Sequence, residues 1–347
     1  MAPLVGIIAN PVSASDIRRV VANASTLQVT DRANIVLRVL SALASCGITN
    51  VLMMPEKSGI RRHITRAYER AANLKEDIFP QLDHIRMDIT STVEDTLLAT
   101  RKMREAGCVA IVVLGGDGTH RAVVSQCGDI PISGISTGTN NAFPEHREPT
   151  ITGLATGLAV SGKIPANVAF QSNKRIDIGI GEAVRDIAIV DVAIVTERFV
   201  GAKALWKPEN FRELYVTFSD PEVIGMSAIA GLLEPVNRDD PDGLAVKIVP
   251  IHEARTILKV PFAPGIIGPI GIGSWRRLKA GVPAKLDLPA GTIALDGERE
   301  LAFDQSDDVS ISLVNNAFRT INVSAVMQYA SRNGLMRTSS AITGPGR

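Results

Sequence analysis

The sequence predicts an N-terminal α/β domain built on a parallel, three-layer sheet, followed by a β-rich C-terminal domain. The chain has 347 residues, enough for two domains at roughly 100–200 residues each. In residues 1–148, short apolar runs alternate with amphipathic helical patterns, which is typical of a parallel sheet covered by helices. In residues 149–308, β-branched runs are separated by Gly, Pro, Asn and Asp, which favours antiparallel β structure.

Short apolar runs in the first domain predict strands at residues 4–9, 50–54, 84–89, 109–114 and 132–135. The run at 109–114 is continuously apolar, as expected for a central strand buried on both faces. Helical patterns predict helices at residues 33–44, 59–74 and 119–127. A capping-box pattern at Ser91 and Glu94 predicts the start of a further helix. This alternation places the carboxyl ends of the strands at one edge of the sheet.

The second domain is predicted to be mostly strands, at residues 176–180, 187–195, 214–218, 244–251 and 256–260. Residues 261–273, followed by the basic segment 275–279, are interpreted as a loop because of their Pro and Gly content. In the last segment, 309–338, residues 309–314 predict a strand and 324–332 a helix. Residues 339–347 are predicted to be a frayed tail.

The composition excludes several classes of protein. Lys and Arg total 37 and Asp and Glu total 36, so the net charge of +1 gives no basic footprint for general nucleic-acid binding. The cysteines and histidines are scattered, without disulfide or zinc-ligand spacing. The apolar N-terminus lacks the basic region of a signal peptide, and the most apolar stretch is too short to span a membrane. We therefore expect a cytoplasmic protein with neither a membrane span nor a nucleic-acid partner.

The strongest functional signal is the pentapeptide Gly-Gly-Asp-Gly-Thr at residues 115–119, between a predicted buried strand and a helix. It contains three glycines: Gly115, Gly116 and Gly118. Glycines allow unusual φ values and close approach of the backbone to a ligand, and the free N–H groups of the helix start favour phosphate. The Asp117 carboxylate beside an anion implies a bridging metal or proton transfer, and Thr119 can donate to phosphate. The alternative is a tight turn with Asp117 or Thr119 as a plain N-cap.

Two further polar segments follow predicted strands and reach the same sheet edge. The first follows Ser136 and supplies groups suited to phosphate, ribose or adenine: Thr137, Gly138, Thr139, Asn140 and Asn141. The second runs from Asn10 to Ser13, both of which can donate to a phosphate. Alone, the first is equally consistent with a polar loop and the second is better explained as a turn. The chain has no P-loop motif and no G-x-G-x-x-G after its first strand, which disfavours a Rossmann dehydrogenase.

These motifs resemble those of the superfamily of NAD kinases, diacylglycerol kinases and sphingosine kinases. Residues 115–119 are identical to its hallmark GGDGT loop, and residues 10–13 resemble its NPxSG loop, with Ala14 in place of glycine. Residues 138–140 resemble the GTxN segment, and residues 296–298 resemble the C-terminal DGE or DGQ element. The whole pattern is most similar to the bacterial ATP-NAD kinase-like group that includes acetoin-catabolism protein X (AcoX).

The resemblance implies an NAD kinase/diacylglycerol kinase-like fold, in which residues 309–338 return to the first domain. It implies transfer of the γ-phosphoryl group of ATP to a hydroxyl with Mg2+, NAD(H) being the first acceptor to consider. Asp117 would be the base or the metal-organising carboxylate. Phosphate would be cradled by Gly116, Gly118 and Thr119, and the nucleotide held by Asn140 and Asn141. Members of the superfamily commonly form homo-oligomers, so a homo-oligomer is expected.

Two departures from the superfamily leave the acceptor open. NAD kinases carry an Asn-Glu or Asn-Asp pair where this chain has Val190-Asp191, so Asp191 can bind ribose hydroxyls but Val190 cannot replace the amide. The threonines and tyrosine of a second NAD kinase run are missing around Ser227. Asp296 is a candidate second carboxylate by its family position, although Asp-Gly is also a common hairpin turn. Three functions are considered: a small-metabolite kinase, a diacylglycerol or sphingoid-type lipid kinase, and a non-catalytic nucleotide-binding regulatory protein.

Overall fold

The computed structural model describes residues 2–10, 27–137, 141–197, 210–297 and 299–337. The N-terminal half contributes the strands β1 (Leu4–Ala9), β2 (Asn50–Met53), β3 (Gln81–His84), β4 (Ala110–Gly115) and β5 (Ile132–Ser136). They lie in the order β3-β2-β1-β4-β5, and all neighbours are parallel. The carboxyl ends of β1, β4 and β5 therefore meet at one edge of the sheet.

Helices cover both faces of this parallel sheet. Those described in the N-terminal half are α1 (Val29–Ser45), α2 (Ile60–Asn73), α3 (Val93–Glu105), α4 (Asp117–Cys127) and α5 (Pro149–Val160). Because side chains alternate along a strand, Ile7 packs with α1 and α2 on one face, while Ile8 packs with α3 and α4 on the other. The predicted three-layer arrangement is confirmed.

Helix α5 packs directly on α1, and the predicted boundary between residues 148 and 149 falls at its first residue. The two helices cross closely, because a Cβ at Gly153 would lie 3.0 Å from the carbonyl oxygen of Val39. Two more helices, α6 (Ala166–Ala169) and α8 (Val323–Arg332), join the same apolar cluster as α5. The C-terminal end of the chain thus packs against the helices of the N-terminal half.

The C-terminal half adds antiparallel strands to the first sheet and builds a second one. β6 (Phe170–Ile180), β7 (Ala183–Ala188) and β16 (Val309–Ile321) extend the first sheet in the order β5-β16-β6-β7, and β13 (Ala284–Lys285) pairs with β16. The second sheet contains, in spatial order, β11 (Thr256–Ala263), β12 (Ile266–Leu278), β10 (Gly243–Val249), β9 (Phe211–Val216), β8 (Asp191–Val195), β14 (Gly291–Leu295) and β15 (Arg299–Phe303). Ile176 of β6 and Val192 of β8 share one core, so the two sheets pack face to face. The predicted fold class, a mostly parallel N-terminal domain followed by an antiparallel β-rich domain, is confirmed.

The helix start predicted at Ser91 is wrong by one residue. Thr92 is the N-cap of α3, and its hydroxyl accepts the N–H of Glu94 at 3.3 Å. Ser91 instead has a left-handed φ of 60°, and its N–H donates to the Asp95 carboxylate at 2.7 Å. The third strand also lies earlier than predicted, since residues 81–84, and not 84–89, pair in register with β2.

The apolar run at residues 187–195 is divided between two strands rather than forming the single strand predicted. β7 ends the first sheet and β8 begins in the second. The N–H groups of Ile189 and Val190, which lie between them, donate to the carboxylate of Asp296. A carboxylate distant in sequence therefore accepts the backbone N–H groups at the corner where the chain passes from one sheet to the other.

The segment at residues 261–273, predicted as a loop, forms most of the β11–β12 hairpin. The hairpin turns at Gly265, whose φ of 75° requires a residue without a Cβ. Pro261 is tolerated because β11 is an edge strand, where a missing N–H need not break a ladder. Among the described residues, no helix is long and apolar enough to cross a membrane.

Candidate functional site

The GGDGT segment is the junction between β4 and α4. β4 is buried along its whole length, and α4 begins at Asp117. Gly116 is the N-cap, with an extended backbone (φ −91°, ψ −173°), while Gly115 lies in the strand and Gly118 in the helix. None of these three glycines has the positive φ value that a glycine can adopt easily. Gly115 is required by packing instead, because a Cβ there would lie 2.5 Å from the Cβ of Thr119.

The side chain of Asp117 is buried in the first turn of α4 and holds the loop that follows β5. Its Oδ2 accepts the backbone N–H of Ala142 at 3.0 Å, and its Oδ1 accepts that of Phe143 at 2.9 Å. A carboxylate at the N-terminus of a helix is also favoured by the helix dipole. Asp117 therefore joins the segments that follow β4 and β5.

Arg238 holds the same loop and comes from the C-terminal half. Its Nη2 donates to the carbonyl oxygens of Ala142 at 3.0 Å and Phe143 at 2.8 Å. The guanidinium carbon lies 4.8 Å from the ring centroid of Phe143 and 4.2 Å from that of Phe218. Burial lowers the pKa of Arg238 and nearby carboxylates oppose this shift, so the guanidinium remains charged. Sequence reasoning missed Arg238, because no local pattern connects it with a loop 95 positions away.

Other predicted residues lie at the carboxyl ends of the neighbouring strands. Asn10 follows β1, and its Nδ2 donates to the Thr119 hydroxyl at 3.3 Å. Thr137 follows β5, and its buried Oγ1 has no hydrogen-bond partner among the described residues. The Asn141 amide donates to the Ser136 hydroxyl at 2.8 Å, which stabilises the loop after β5. Four predicted residues lie outside the described ranges: Ser13, Gly138, Thr139 and Asn140.

A cavity of about 220 Å³ opens at this edge of the sheet. It is lined by Asn10, by residues 54–58 after β2 and by the start of α3. Glu56 fixes its wall by accepting the N–H groups of Gly59 and Arg61, each at 2.8 Å. Burial raises the pKa of Glu56, but hydrogen bonds from Arg61, Ser58 and Gly59 outweigh burial and leave the pKa below its usual value. The cavity thus has a fixed polar wall next to the Asn10–Thr119 pair.

Asp296, predicted as a second carboxylate of the phosphate cleft, has a side chain that is fully enclosed. Its oxygens accept the N–H groups of Ile189, Val190 and Asp191 at distances between 2.9 and 3.2 Å. Its Oδ2 lies 3.6 Å from Nε of Arg121 in α4. Burial raises the pKa of Asp296, and Arg121 and the backbone donors oppose this. Asp296 therefore connects the β7–β8 corner to the helix that begins with the GGDGT turn.

His120 lies in the first turn of α4, next to Arg121, and is fully buried. Its Nδ1 is 2.8 Å from the Gly116 carbonyl oxygen. Burial lowers the pKa of His120 to about 4, so the ring is neutral near pH 7. Since a carbonyl oxygen only accepts, Nδ1 carries the proton. Its Nε2 has no partner among the described residues.

Two family models match consecutive parts of the chain. Residues 5–164 match the ATP-NAD kinase N-terminal domain, and residues 174–316 match the acetoin catabolism protein X C-terminal domain. Acetoin catabolism protein X of Cupriavidus necator H16 is 53% identical over 346 residues, which cover 97% of this chain and 95% of that protein. The chain belongs to the acetoin catabolism protein X (AcoX) family.

Two solved structures resemble this AcoX-family chain at low identity. Yeast NADH kinase complexed with NADH is 12% identical, with a TM-score of 0.45, over 99% of this chain and 90% of that one. A candidate diacylglycerol kinase from Bacillus anthracis str. Sterne is 11% identical, with a TM-score of 0.45, over 92% of this chain and 97% of that one.

The positions that depart from the NAD kinase pattern have defined places in this AcoX-family chain. Val190, where the resemblance placed an amide, is buried in an apolar cluster with Ile189 and Phe218. Asp191 is buried at the start of β8, and its N–H donates to Asp296. Ser227 is buried at the first residue of α7 (Ser227–Leu233). A contribution of Asp191 or Ser227 to an acceptor site stays a prediction.

Proposed function

We propose that this AcoX-family protein transfers the γ-phosphoryl group of ATP to a hydroxyl of a small metabolite, with NAD(H) as the first acceptor to test. The observation that carries the proposal is the meeting of Asn10, Asp117, Thr119 and Thr137 at the carboxyl edge of the parallel sheet, beside the start of α4. Phosphorylated ligands bind at such edges and at helix N-termini. The match of residues 5–164 to the ATP-NAD kinase N-terminal domain supports the same chemistry.

In the proposed step, the acceptor oxygen bonds to the γ-phosphorus, the bond from that phosphorus to its bridging oxygen breaks, and ADP leaves. Asp117 would take the proton of the acceptor hydroxyl. The N–H groups of Ala142 and Phe143 support this role because they hold the carboxylate in one position. Asn10 and Thr119 would donate to phosphate oxygens.

Mg2+ would enter as part of the ATP complex. In nucleotide sites this ion is bound mostly by phosphates, waters and one or two carboxylates rather than by an all-protein cage. In the described ranges, no group of three or more His, Cys, Asp or Glu side chains is placed to hold a metal ion. Asp117 is the carboxylate beside the proposed phosphate site, so we expect it to orient the ion through the bound nucleotide.

The test is a turnover assay on the purified full chain with ATP, Mg2+ and NAD or NADH, following NADP(H) formation. We expect turnover to fall about 100-fold or more in Asp117→Asn, because losing a positioned base typically costs this much. The matched control is Asp77→Asn, the same chemical change at an exposed position after α2, which should retain full activity. Circular dichroism of both variants establishes that they are folded.

Two other outcomes would change the assignment. Unchanged turnover in Asp117→Asn contradicts the role of Asp117 as base. Absence of NADP(H) from the native chain excludes NAD and NADH as acceptors, and ADP release is then measured against a panel of hydroxylated metabolites.

A non-catalytic nucleotide-binding role is the second candidate, and one observation favours it. Both oxygens of Asp117 accept backbone N–H groups, so holding the loop is by itself a sufficient role for this carboxylate. Calorimetry with ATP and Mg2+ distinguishes the two functions. Binding of equal affinity in the native chain and in Asp117→Asn, with no ADP release for any acceptor, would favour the regulatory role.

A further inference from the structure

A second cavity, of about 460 Å³, lies between the paired strands β6 and β16 and the turn at residues 238–241. Its volume is in the range of small-molecule sites. Its wall is unusual in chemistry, because amide side chains dominate it: Asn167, Gln171, Asn173, Asn315, Asn316 and Asn322. Phe170 adds an aromatic side chain to the same wall.

Several of these amides have no protein partner. Among the described residues, the side chains of Asn167, Asn315 and Asn316 make no hydrogen bond to the protein. The Oδ1 of Asn315 is also shielded from solvent, so it is a buried acceptor without a partner. Asn316 has a left-handed φ of 52° at the bulge of β16, where the register shifts between Val314 and Phe318. Buried polar atoms are normally hydrogen-bonded, so the Oδ1 of Asn315 requires a water or a ligand, while the exposed amides of Asn167 and Asn316 are open to one.

The turn on the other side of the cavity is held rigidly by Lys174. Its Nζ donates to the carbonyl oxygens of Asn237 at 3.0 Å, Asp240 at 2.6 Å and Asp242 at 2.9 Å. Burial lowers the pKa of Lys174 to about 8, which leaves it mostly charged at pH 7. The β6–β16 wall is fixed as well, because the Asn173 amide donates to the Thr320 hydroxyl at 2.9 Å. The cavity is therefore preformed.

The charges that line the cavity balance, because Lys174 and Arg238 are positive and Asp239 and Asp240 are negative. Arg238 contributes a guanidinium whose Nη2 bonds the loop at residues 142–143, while its other nitrogens have no hydrogen bond to the described residues. Asp239 and Asp240 contribute carboxylates. Amides on the β6–β16 wall, with carboxylates and a guanidinium on the opposite turn, offer both donors and acceptors around the space. A hydroxyl both donates and accepts, so an array of hydroxyls matches this wall better than a phosphate or an apolar ligand.

We propose that this cavity binds a small, neutral, polyhydroxylated molecule of pentose or hexose size, at a site separate from the Asp117 edge. Asn315, Asn316 and Asn167 would bind its hydroxyl groups, and a guanidinium N–H of Arg238 would donate to one hydroxyl oxygen. The proposal does not depend on phosphoryl transfer, since nothing in it uses ATP or Asp117.

The test is saturation-transfer NMR on the full chain without nucleotide, with D-ribose, D-glucose, myo-inositol and glycerol as the probes. We expect saturable binding of at least one probe, weakened about tenfold or more in Asn315→Leu, which keeps the side-chain volume but removes the hydrogen-bonding groups. The matched control is Asn73→Leu, at the exposed end of α2, which should bind as the native chain does.

Asn167→Leu is a second variant that tests the proposal even if Asn315→Leu does not fold. Asn167 is exposed in α6, so this change is tolerated by the fold, and it should weaken the same probe. The proposal is overturned if none of the four probes binds saturably. It is also overturned if binding is equal in the native chain, Asn315→Leu and Asn167→Leu.

Discussion

Asp117 and Asp296 are both buried carboxylates that accept backbone N–H groups, yet their surroundings differ. Asp117 is the first residue of α4, and Asp296 contacts Arg121 of the same helix. Asp117 accepts N–H groups from one loop and lies two residues before Thr119, whose hydroxyl accepts from Asn10, one of the residues that line a cavity. Asp296 accepts N–H groups of three consecutive residues, lies beside Arg121 and is fully enclosed. Both precede a glycine in a segment that resembles a motif of the same superfamily.

This difference leads us to expect that a motif carboxylate serves ligand chemistry only where its surroundings leave space for a ligand. At Asp296, the charge of Arg121 and the three backbone donors complete the environment of the carboxylate. The helix that Asp117 begins is connected to a cavity through the hydrogen bond from Asn10 to Thr119. Mutations at the two sites should therefore separate, with stability lost at Asp296 and activity lost at Asp117.

The largest effect is expected for Asp296→Ala. Removing this carboxylate leaves Arg121 without one of its buried counter-charges and leaves the N–H groups of Ile189 and Val190 unsatisfied. Breaking a buried ion pair from one side costs about 3–5 kcal/mol. Urea denaturation of Asp296→Ala should show this loss in the free energy of unfolding. The exposed control Asp77→Ala should unfold like the native chain, and an equal loss in both variants contradicts the role of Asp296.

The second effect is a pH dependence from His120, which is buried in α4 one turn after Asp117. Burial lowers its pKa from 6.5 to about 4, and the Gly116 carbonyl opposes this while the charge of Arg238 adds to it. Below pH 6.5 the unfolded chain binds a proton that the folded chain does not, so the free energy of unfolding falls as the pH drops toward 4. The loss amounts to about 3 kcal/mol.

Two substitutions isolate this contribution. His120→Asn keeps a donor near the position of Nδ1 but cannot titrate, so its stability should fall less than that of the native chain between pH 7 and 4. His252→Asn, at an exposed position, should retain the native pH dependence. If urea denaturation gives the same pH profile for all three proteins, His120 does not titrate as described.

A smaller effect is expected for Arg238→Lys, which tests the loop that Asp117 holds. Lysine cannot reproduce the planar guanidinium between Phe143 and Phe218 or its two bonds from Nη2. Losing one of these two hydrogen bonds and weakening the cation–π contacts with the two rings costs about 1–2 kcal/mol together. Hydrogen exchange of the Ala142 and Phe143 amides should accelerate in Arg238→Lys and remain native in the exposed control Arg276→Lys. Unchanged exchange would show that Asp117 holds the loop alone.

The sheet edge was predictable from the sequence, but its closure by the second half was not. Asn10, Asp117 and Thr137 each follow a strand of a parallel sheet, and such strand ends meet by geometry alone. Arg238 has no periodic or motif signal, because its contacts are with residues about 95 positions earlier. The division of residues 187–195 between two sheets was hidden for the same reason. Its apolar residues are buried in either sheet, and the acceptor at its corner, Asp296, lies about 105 positions later.

The smallest effect on stability is expected for Thr137→Val, and it separates folding from function at the Asp117 edge. The Oγ1 of Thr137 is buried without a partner among the described residues. Replacing such a hydroxyl by a methyl group of the same shape is close to neutral for folding. If the hydroxyl donates to a phosphate, however, its loss lowers the affinity for the ligand. We expect a change in unfolding free energy of about 0.5 kcal/mol or less and a roughly tenfold loss of ATP affinity by calorimetry. Thr150→Val, at the start of α5, is the control for the substitution itself. Native ATP affinity in Thr137→Val would place the phosphate elsewhere on the edge, whereas a large loss of stability would show that the hydroxyl serves the fold.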